Sequence, residues 1–218
     1  MSVTGRGARP TLGDRAILAE RQRENRRPCE DGCVTIPRVH STLEFPASIM
    51  LVAAMNPCPC GYATDPKRQC NCSPIMIERY MGRVSGPLID RIDIHVEVPP
   101  VPWRQLRGAG DGLSSTDMRR QVVAARQVQR RRFGGNGDAS TTTNATMSPR
   151  QVRQHCALDE AGETVLKQAM NELGLSARAH DKVLRIARTI ADIEGEDRVT
   201  AQHVAEAIQY RRLDRKLT

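Results

Sequence analysis

The sequence is poor in aromatic residues and has no long apolar run. Phe, Trp and Tyr make up 3% of its 218 residues, so a buried core must consist mainly of Val, Ile, Leu, Met and Ala. The longest apolar run, residues 49–55, is far too short to cross a bilayer. Residues 1–10 are charged and lack the apolar segment of a secretory signal. These absences predict a cytoplasmic protein with no membrane partner.

Lysine is also scarce, so the net charge of +8 comes almost entirely from arginine. A basic surface of this kind favours an acidic partner such as nucleic acid or the phosphates of a nucleotide. The alternative is an arginine-rich chain whose charges lie on solvated helix faces and bind nothing. Charge alone does not decide between the two.

Seven cysteines are present, and four of them form two pairs, Cys58-x-Cys60 and Cys70-x-Cys72. Without an export signal, clustered cysteines indicate a metal site or reduced thiols rather than disulfides. Four thiolates can bind zinc tetrahedrally. However, paired zinc ligands are usually separated by two to four residues, and here by one. A reduced, chemically inert loop is the alternative interpretation.

The first half of the chain predicts strands. Alternating apolar residues on either side of a polar turn at 38–42 predict a hairpin. Residues 49–55 are continuously apolar and predict a strand buried on both faces of a parallel sheet. Residues 92–98 alternate between apolar and polar and predict a half-buried strand. A short helix is expected over 74–81.

The second half predicts helices. An arginine-rich helix over 116–133 is followed by a flexible linker of Gly, Asn, Ser and Thr at 134–146. From residue 148 onward the whole chain is expected to be helical. Helix starts are signalled by a capping box, Ser148 with Gln151, and by three further N-cap residues, Asp159, Ser176 and Thr200. Helix ends are signalled by Gly174 and Gly195.

Three residues could contact a nucleotide. Asn56 follows the predicted buried strand, at the strand end where open α/β sheets place ligands, although it could equally begin a turn before Pro57. Arg91 lies just before the second predicted strand and could reach a phosphate or pair with a neighbouring aspartate. Arg178 lies in the first turn of a predicted helix, where phosphates bind, or is an ordinary surface arginine.

Three longer stretches resemble the magnesium-chelatase-like AAA+ ATPases of the bacterial ComM and YifB type. Residues 51–62 (LVAAMNPCPCGY) are similar to one signature of that family and residues 85–98 (SGPLIDRIDIHVEV) to a second. Residues 173–179 (LGLSARA), together with 188–192 and 208–211, resemble its C-terminal helical domain. The resemblance covers about residues 29–215. Residues 1–28 match it poorly.

The resemblance implies roles for these residues. Asn56 falls on sensor 1, which orients the hydrolytic water, and Arg91 falls on the arginine finger, which reaches the ATP of a neighbouring subunit. Arg178 falls on sensor 2, which closes the lid over the nucleotide. Arg38 and His40 would lie near the tip of a hairpin that touches DNA in the central pore. The family implies ATP and Mg²⁺ as ligands, a hexameric ring as the assembly, and DNA as the substrate.

One family motif is missing from the sequence. The phosphate-binding loop reads Gly-x-x-x-x-Gly-Lys-Ser/Thr, but none of the four lysines follows a glycine. No apolar strand ends in the acidic pair that would hold Mg²⁺. The resemblance therefore predicts the C-terminal part of such an ATPase, inactive alone. A basic or zinc-stabilised DNA-binding module, or a decayed gene fragment, is the alternative.

The predicted fold class is a partial α/β AAA+ core followed by an all-α lid. Parallel-sheet strands and a hairpin before sensor 1 form the core at 29–110. A basic connector helix and a flexible linker occupy 111–147, and the helical domain occupies 148–218.

Overall fold

A computed structural model describes residues 33–38, 41–47, 50–99, 101, 112–134 and 143–211. The N-terminal segment and His40 lie outside the described residues, as does most of the predicted linker. The chain divides into two compact units between Met55 and Asn56. No helix in the described part is long and apolar enough to cross a membrane.

The predicted hairpin is present in the first unit. Strand β1 (Cys33–Arg38) pairs antiparallel with β2 (Ser41–Pro46). The pairing extends to Arg38 and Ser41, so the connection is shorter than the predicted turn at 38–42. Ile36 and Leu43 pair directly, and each is almost half exposed.

The second unit is mostly helical. Its helices are α1 (Pro74–Met81), α2 (Gly86–Ile89), α3 (Ser115–Phe133), α4 (Pro149–His155), α5 (Glu160–Leu173), α6 (Ala177–Glu194) and α7 (Ala201–Gln209). The predicted helix ends are confirmed from residue 148 onward. Ser148 and Gln151 form the capping box at the start of α4, and Asp159 caps α5. Gly174 ends α5 at φ 61°, a left-handed conformation that glycine adopts without steric cost.

The hydrophobic core centres on α6, which packs against α3, α4 and α7. Val183 and Ala187 of α6 are fully buried against Val204 and Ala207 of α7, which are also fully buried. Burying a valine side chain contributes about 1.5–3 kcal/mol. Together, α3 to α7 therefore form a helical domain with its own core.

The two segments predicted to be strands of a parallel sheet are not strands in the structure. Residues 50–55 and 92–98 carry no strand pairing, and Met50, Val52 and Val98 are more than four-fifths exposed. A strand forms only where a neighbour accepts and donates its backbone hydrogen bonds. In the described ranges the hairpin strands pair only with each other, so these apolar segments lack a neighbour.

The predicted flexible linker is also partly wrong. Its last residues form a 3₁₀ turn, Asn144–Thr146, that packs against α6. Asn144 is only 1% exposed, and its amide donates to Thr189 at 3.1 Å and to Asp192 at 2.8 Å. This turn is therefore part of the helical domain, although its composition is typical of mobile chain.

Candidate functional site

The segment that carries Arg91 follows directly after the short helix α2. Ser85 occupies the N-cap position of α2, and Pro87 lies in its first turn, a position that suits the fixed backbone of proline. Ile89 at the end of α2 is buried. The backbone N–H groups of Asp90 and Ile92 continue the turn by donating to Gly86 and Leu88. The backbone on either side of Arg91 is therefore held by hydrogen bonds to α2.

Lys182 of α6 holds the middle of this segment. Its ammonium donates to the carbonyl oxygen of Arg91 at 2.6 Å and lies 2.9 Å from the carboxylate of Asp93. The Lys182 side chain is 15% exposed, and a charge-assisted hydrogen bond strengthens where water is excluded. The backbone of Arg91 is thus fixed to α6.

The end of α7 holds the same segment from its other side. Arg211 is completely buried, donates to the carbonyl oxygen of Ile92, and lies 3.5 Å from the carboxylate of Asp90. Three residues after Ile92, the backbone N–H of His95 donates to the carbonyl oxygen of Tyr210 at 2.8 Å. The segment from Asp90 to His95 therefore docks on the helical domain instead of joining a sheet.

Ser176 connects this segment to the start of α6. Its hydroxyl accepts the N–H of Ala179 as the helix N-cap and also donates to the carboxylate of Asp90 at 3.2 Å. Arg178 lies in that first turn of α6, with an exposed side chain. Arg91 and Arg178 thus lie on two segments that are hydrogen-bonded to each other.

The structure does not join Asn56 to this arrangement. Asn56 is exposed at the start of the second unit. None of the hydrogen bonds that anchor residues 90–95 involves it. Of the two predicted DNA contacts, Arg38 is the last residue of β1, and His40 lies outside the described residues. The described residues therefore do not test a DNA contact at the hairpin.

The basic helix α3 has two kinds of arginine. Arg132 points into the helical domain and forms a bidentate pair with Asp192, through contacts of 2.8 and 2.5 Å. The other five are exposed to solvent; they are Arg119, Arg120, Arg126, Arg130 and Arg131. Arg120 pairs with Asp117 at 3.1 Å on the surface. Five arginines of the predicted arginine-rich helix therefore lie on its surface, and the sixth is structural.

Asp192 is the centre of a buried polar network that the sequence analysis missed. Its carboxylate is fully buried and accepts hydrogen bonds from Arg132, from Asn144 and from Arg188, the last at 3.0 Å. Arg188 in turn donates to the carbonyl oxygens of Glu196 and Asp197 at 2.5 and 2.7 Å. Only the spacing of Arg188 and Asp192, one helical turn apart, is visible in the sequence.

Two opposed effects act on the pKa of Asp192. Burial alone would raise it, but hydrogen bonds from Arg132 and Asn144 and the positive charges of Arg132 and Arg188 outweigh burial. The net result is a pKa below the usual value for aspartate. Asp192 is therefore ionised and ties α3, the 3₁₀ turn and α6 together.

The four clustered cysteines lie together at the two ends of one loop. All four sulfur atoms lie within 4.8 Å of one another. The Sγ of Cys58 lies 3.2 Å from that of Cys60 and 3.7 Å from that of Cys70, and the last two are 3.5 Å apart. Cys58 is fully buried, and the other three are partly buried.

Cys60 and Cys72 differ in their thiol pKa values. The backbone N–H of Tyr62, followed by the Cys58 side chain, lowers the pKa of Cys60 to about 6. Burial raises the pKa of Cys72 to about 12. In the chain without metal, Cys60 is thus the first of this pair to ionise.

Comparison with known proteins places both halves of the chain in one family. The sequence model for "Magnesium chelatase, subunit ChlI" matches residues 18–106, and that for "Magnesium chelatase, subunit ChlI C-terminal" matches residues 112–211. The competence protein ComM of Haemophilus influenzae is 39% identical over 193 residues, which are 88% of this chain and 36% of that protein. The uncharacterized proteins YifB of Salmonella typhimurium and Escherichia coli are each 37% identical over the same shares. The chain thus spans about a third of the length of these relatives.

Proposed function

Because the chain belongs to the magnesium-chelatase-like proteins of the ComM and YifB type, we propose that it supplies the nucleotide-sensing and lid parts of a ring-shaped AAA+ ATPase that acts on DNA. The observation that carries this proposal is the docking of residues 90–95 onto α6 and α7. It places Arg91 and Arg178 on segments that are bonded to each other through Asp90, Ser176 and Lys182.

Each arginine has a distinct role in the proposal. Arg178 is exposed in the first turn of α6, where a guanidinium and the helix N-terminus both attract a phosphate. Arg91 contacts the phosphate bound to the neighbouring subunit and stabilises charge during phosphoryl transfer. Asn56 orients the attacking water by hydrogen bonding. A movement of α6 on nucleotide binding would be transmitted by Lys182 to the backbone of Arg91.

The proposal does not assign to this chain the residues that bind the β- and γ-phosphates and Mg²⁺. ATP is the substrate, and its β- and γ-phosphates and Mg²⁺ need a phosphate loop and an acidic strand end. The 218 residues contain no Gly-x-x-x-x-Gly-Lys-Ser/Thr sequence. The proposal therefore places those contacts in another part of the assembly, which would complete the partial AAA+ core that residues 29–110 supply.

The purified 218-residue chain is expected to hydrolyse ATP no faster than the buffer background. Two arginines and an asparagine do not replace the triphosphate and Mg²⁺ contacts of a phosphate loop. A coupled phosphate-release assay measures this, with Arg178→Ala as the matched control. Turnover that is present in the unsubstituted chain and lost in Arg178→Ala would overturn the assignment of the phosphate contacts to another part.

A second function is favoured by the five exposed arginines of α3: a DNA-binding module that needs no ATP. Such a module would bind duplex DNA with an affinity that falls steeply with salt, because phosphate contacts release counterions. Removing both Arg126 and Arg130 would then reduce the slope of log affinity against log salt by about two. Fluorescence anisotropy with labelled DNA measures the slope, with and without ATP. An unchanged slope would rule out α3 as the contact, and binding that requires ATP would favour the ring.

A further inference from the structure

We propose that Cys58, Cys60, Cys70 and Cys72 bind one zinc ion, which fixes the loop of residues 58–72. The four side chains are the only group of three or more cysteine, histidine or acidic residues, in the described part of the chain, whose ligand atoms converge on one point. Four thiolates are a preferred ligand set for structural zinc. Each thiol gives up its proton as the zinc–sulfur bond forms.

The sulfur positions fit a zinc ion. Zinc–sulfur bonds of about 2.3 Å in a tetrahedron separate the sulfurs by about 3.8 Å. The distances of 3.2, 3.5 and 3.7 Å within the cluster lie close to that value. They are much longer than a disulfide bond of about 2.0 Å. The geometry therefore matches four separate ligands around one ion better than two disulfides.

The backbone conformation of the loop explains how two zinc ligands can be separated by a single residue. Gly61, with φ 83°, lets the chain reverse directly after Cys60, and its N–H donates to the carbonyl oxygen of Cys58 at 3.0 Å. A single residue between Cys58 and Cys60 is therefore enough to bring both sulfurs to one side. The usual separation of two to four residues serves the same purpose in other zinc loops.

Two of the sulfurs have a backbone N–H group beside them, an arrangement that supports a bound metal by hydrogen bonding to its ligands. The N–H of Tyr62 is hydrogen-bonded to the Cys60 sulfur, and the N–H of Cys72 to the Cys70 sulfur. Such hydrogen bonds orient thiolate ligands and offset their negative charge. Within the loop, Arg68 also donates to the Tyr62 hydroxyl at 2.7 Å. Four thiolates around a divalent ion carry a net negative charge, which this setting helps to balance.

The loop has little else to hold it together. Among residues 58–72, Cys58 alone is buried, and none of the others contributes to the hydrophobic core. A metal that cross-links its two ends stabilises the folded loop, because binding free energy at such a site is also folding free energy. Asn56 lies two residues before Cys58, so the same ion fixes the backbone that presents Asn56.

The metal content of the purified full chain tests the proposal. We expect inductively coupled plasma mass spectrometry to find about one zinc ion per chain. The Cys58→Ser and Cys70→Ser variants should each lose that zinc. Cys33→Ser is the matched control, because Cys33 lies outside the cluster, and it should keep the ion. A Cys58→Ser chain that still holds a full equivalent, or a Cys33→Ser chain that loses it, would place the metal elsewhere and overturn the proposal.

Cobalt substitution gives a second readout that needs no variant. The full chain with Co²⁺ should show the intense visible bands of a tetrahedral centre and sulfur-to-cobalt charge transfer in the near ultraviolet. Weak bands of an octahedral centre would contradict a four-thiolate site. So would a metal-free chain whose four thiols are reduced, freely reactive with a thiol reagent and unable to bind Zn²⁺ or Co²⁺. Mass spectrometry that finds Cys58 disulfide-bonded in the freshly purified protein would also contradict it.

Discussion

Replacing Asp192 with alanine is expected to lower the free energy of unfolding of the helical domain by about 3–5 kcal/mol. The substitution leaves the guanidinium groups of Arg132, which is partly buried, and of Arg188, which is buried, without their shared carboxylate. It also removes one of the two acceptors of the Asn144 amide, which weakens the connection of the 3₁₀ turn to α6. Since domains of this size are stable by about 5–15 kcal/mol, the variant should be close to unfolding at room temperature.

Urea unfolding followed by far-ultraviolet circular dichroism measures this loss. Glu172→Ala is the matched control, because Glu172 is an exposed helical carboxylate that accepts a hydrogen bond from Gln168 on the helix surface. Its effect should stay within about 0.5 kcal/mol. An Asp192→Ala variant that is as stable as the control would show that the network does not hold the domain together.

The same carboxylate gives the stability a dependence on pH. The pKa of Asp192 is lowered in the folded state, so the folded chain binds fewer protons here than the unfolded chain. Its contribution is therefore complete above the unfolded pKa of about 3.9 and is lost as the pH falls through the folded value. Asp192→Asn should remove this part of the acid dependence, which urea titrations at a series of pH values would detect.

Removing the guanidinium of Arg91 is expected to reduce ATP turnover by a ring that contains this chain about 10³–10⁵-fold. To obtain such a ring, the matching segment of the Haemophilus influenzae relative is replaced by this chain, over the 193 aligned residues. Arg83→Ala is the control, because Arg83 is an exposed arginine a few residues earlier that lies 6.0 Å from the Tyr80 ring. Arg83→Ala should leave turnover unchanged.

Mixed rings show whether Arg91 acts on the neighbouring subunit. An Arg91→Ala subunit keeps its own Asn56, and an Asn56→Ala subunit keeps its own Arg91. If the finger acts between subunits, a mixture of the two inactive variants forms some complete sites and recovers part of the turnover. A mixture as inactive as its components would place both residues in the same site within one subunit.

The helical domain was predictable because its signals are local. Ser148, Asp159, Ser176 and Gly174 each specify a helix end from a few neighbouring residues, whatever the rest of the chain does. These elements fold as the sequence indicates, since local preference and tertiary packing agree.

The strands were predicted wrongly because a strand depends on residues elsewhere in the chain. Residues 49–55 and 92–98 have suitable composition, but a sheet needs partners that their own sequence does not specify. For residues 92–95 the helical domain supplies alternative hydrogen-bond partners through Arg211 and Tyr210. The family resemblance pointed to Arg91 and Arg178 as site residues. The contacts of Lys182 and Ser176 that connect their segments join residues far apart in the sequence and are seen only in the structure.

The Asp192 network and the cysteine cluster were partly hidden for a similar reason. Arg132 and Asn144 meet Asp192 across 60 and 48 residues of sequence, a separation that no local pattern reveals. The composition around Asn144 indicated a flexible linker, yet its side chain is buried and its amide donates hydrogen bonds to Thr189 and Asp192. For the cysteines, the spacing argued against zinc, and only the turn at Gly61 shows why one intervening residue is enough.

The most direct test of the proposed function is the ATP turnover of the chimaeric ring with and without Arg91→Ala, measured at saturating ATP with Mg²⁺. We predict that the unsubstituted chimaera hydrolyses ATP and that Arg91→Ala abolishes turnover, while Arg83→Ala does not. An Arg91→Ala ring that turns over ATP as fast as the unsubstituted ring would contradict the proposal. An unsubstituted ring that assembles, binds ATP and fails to hydrolyse it would contradict it as well.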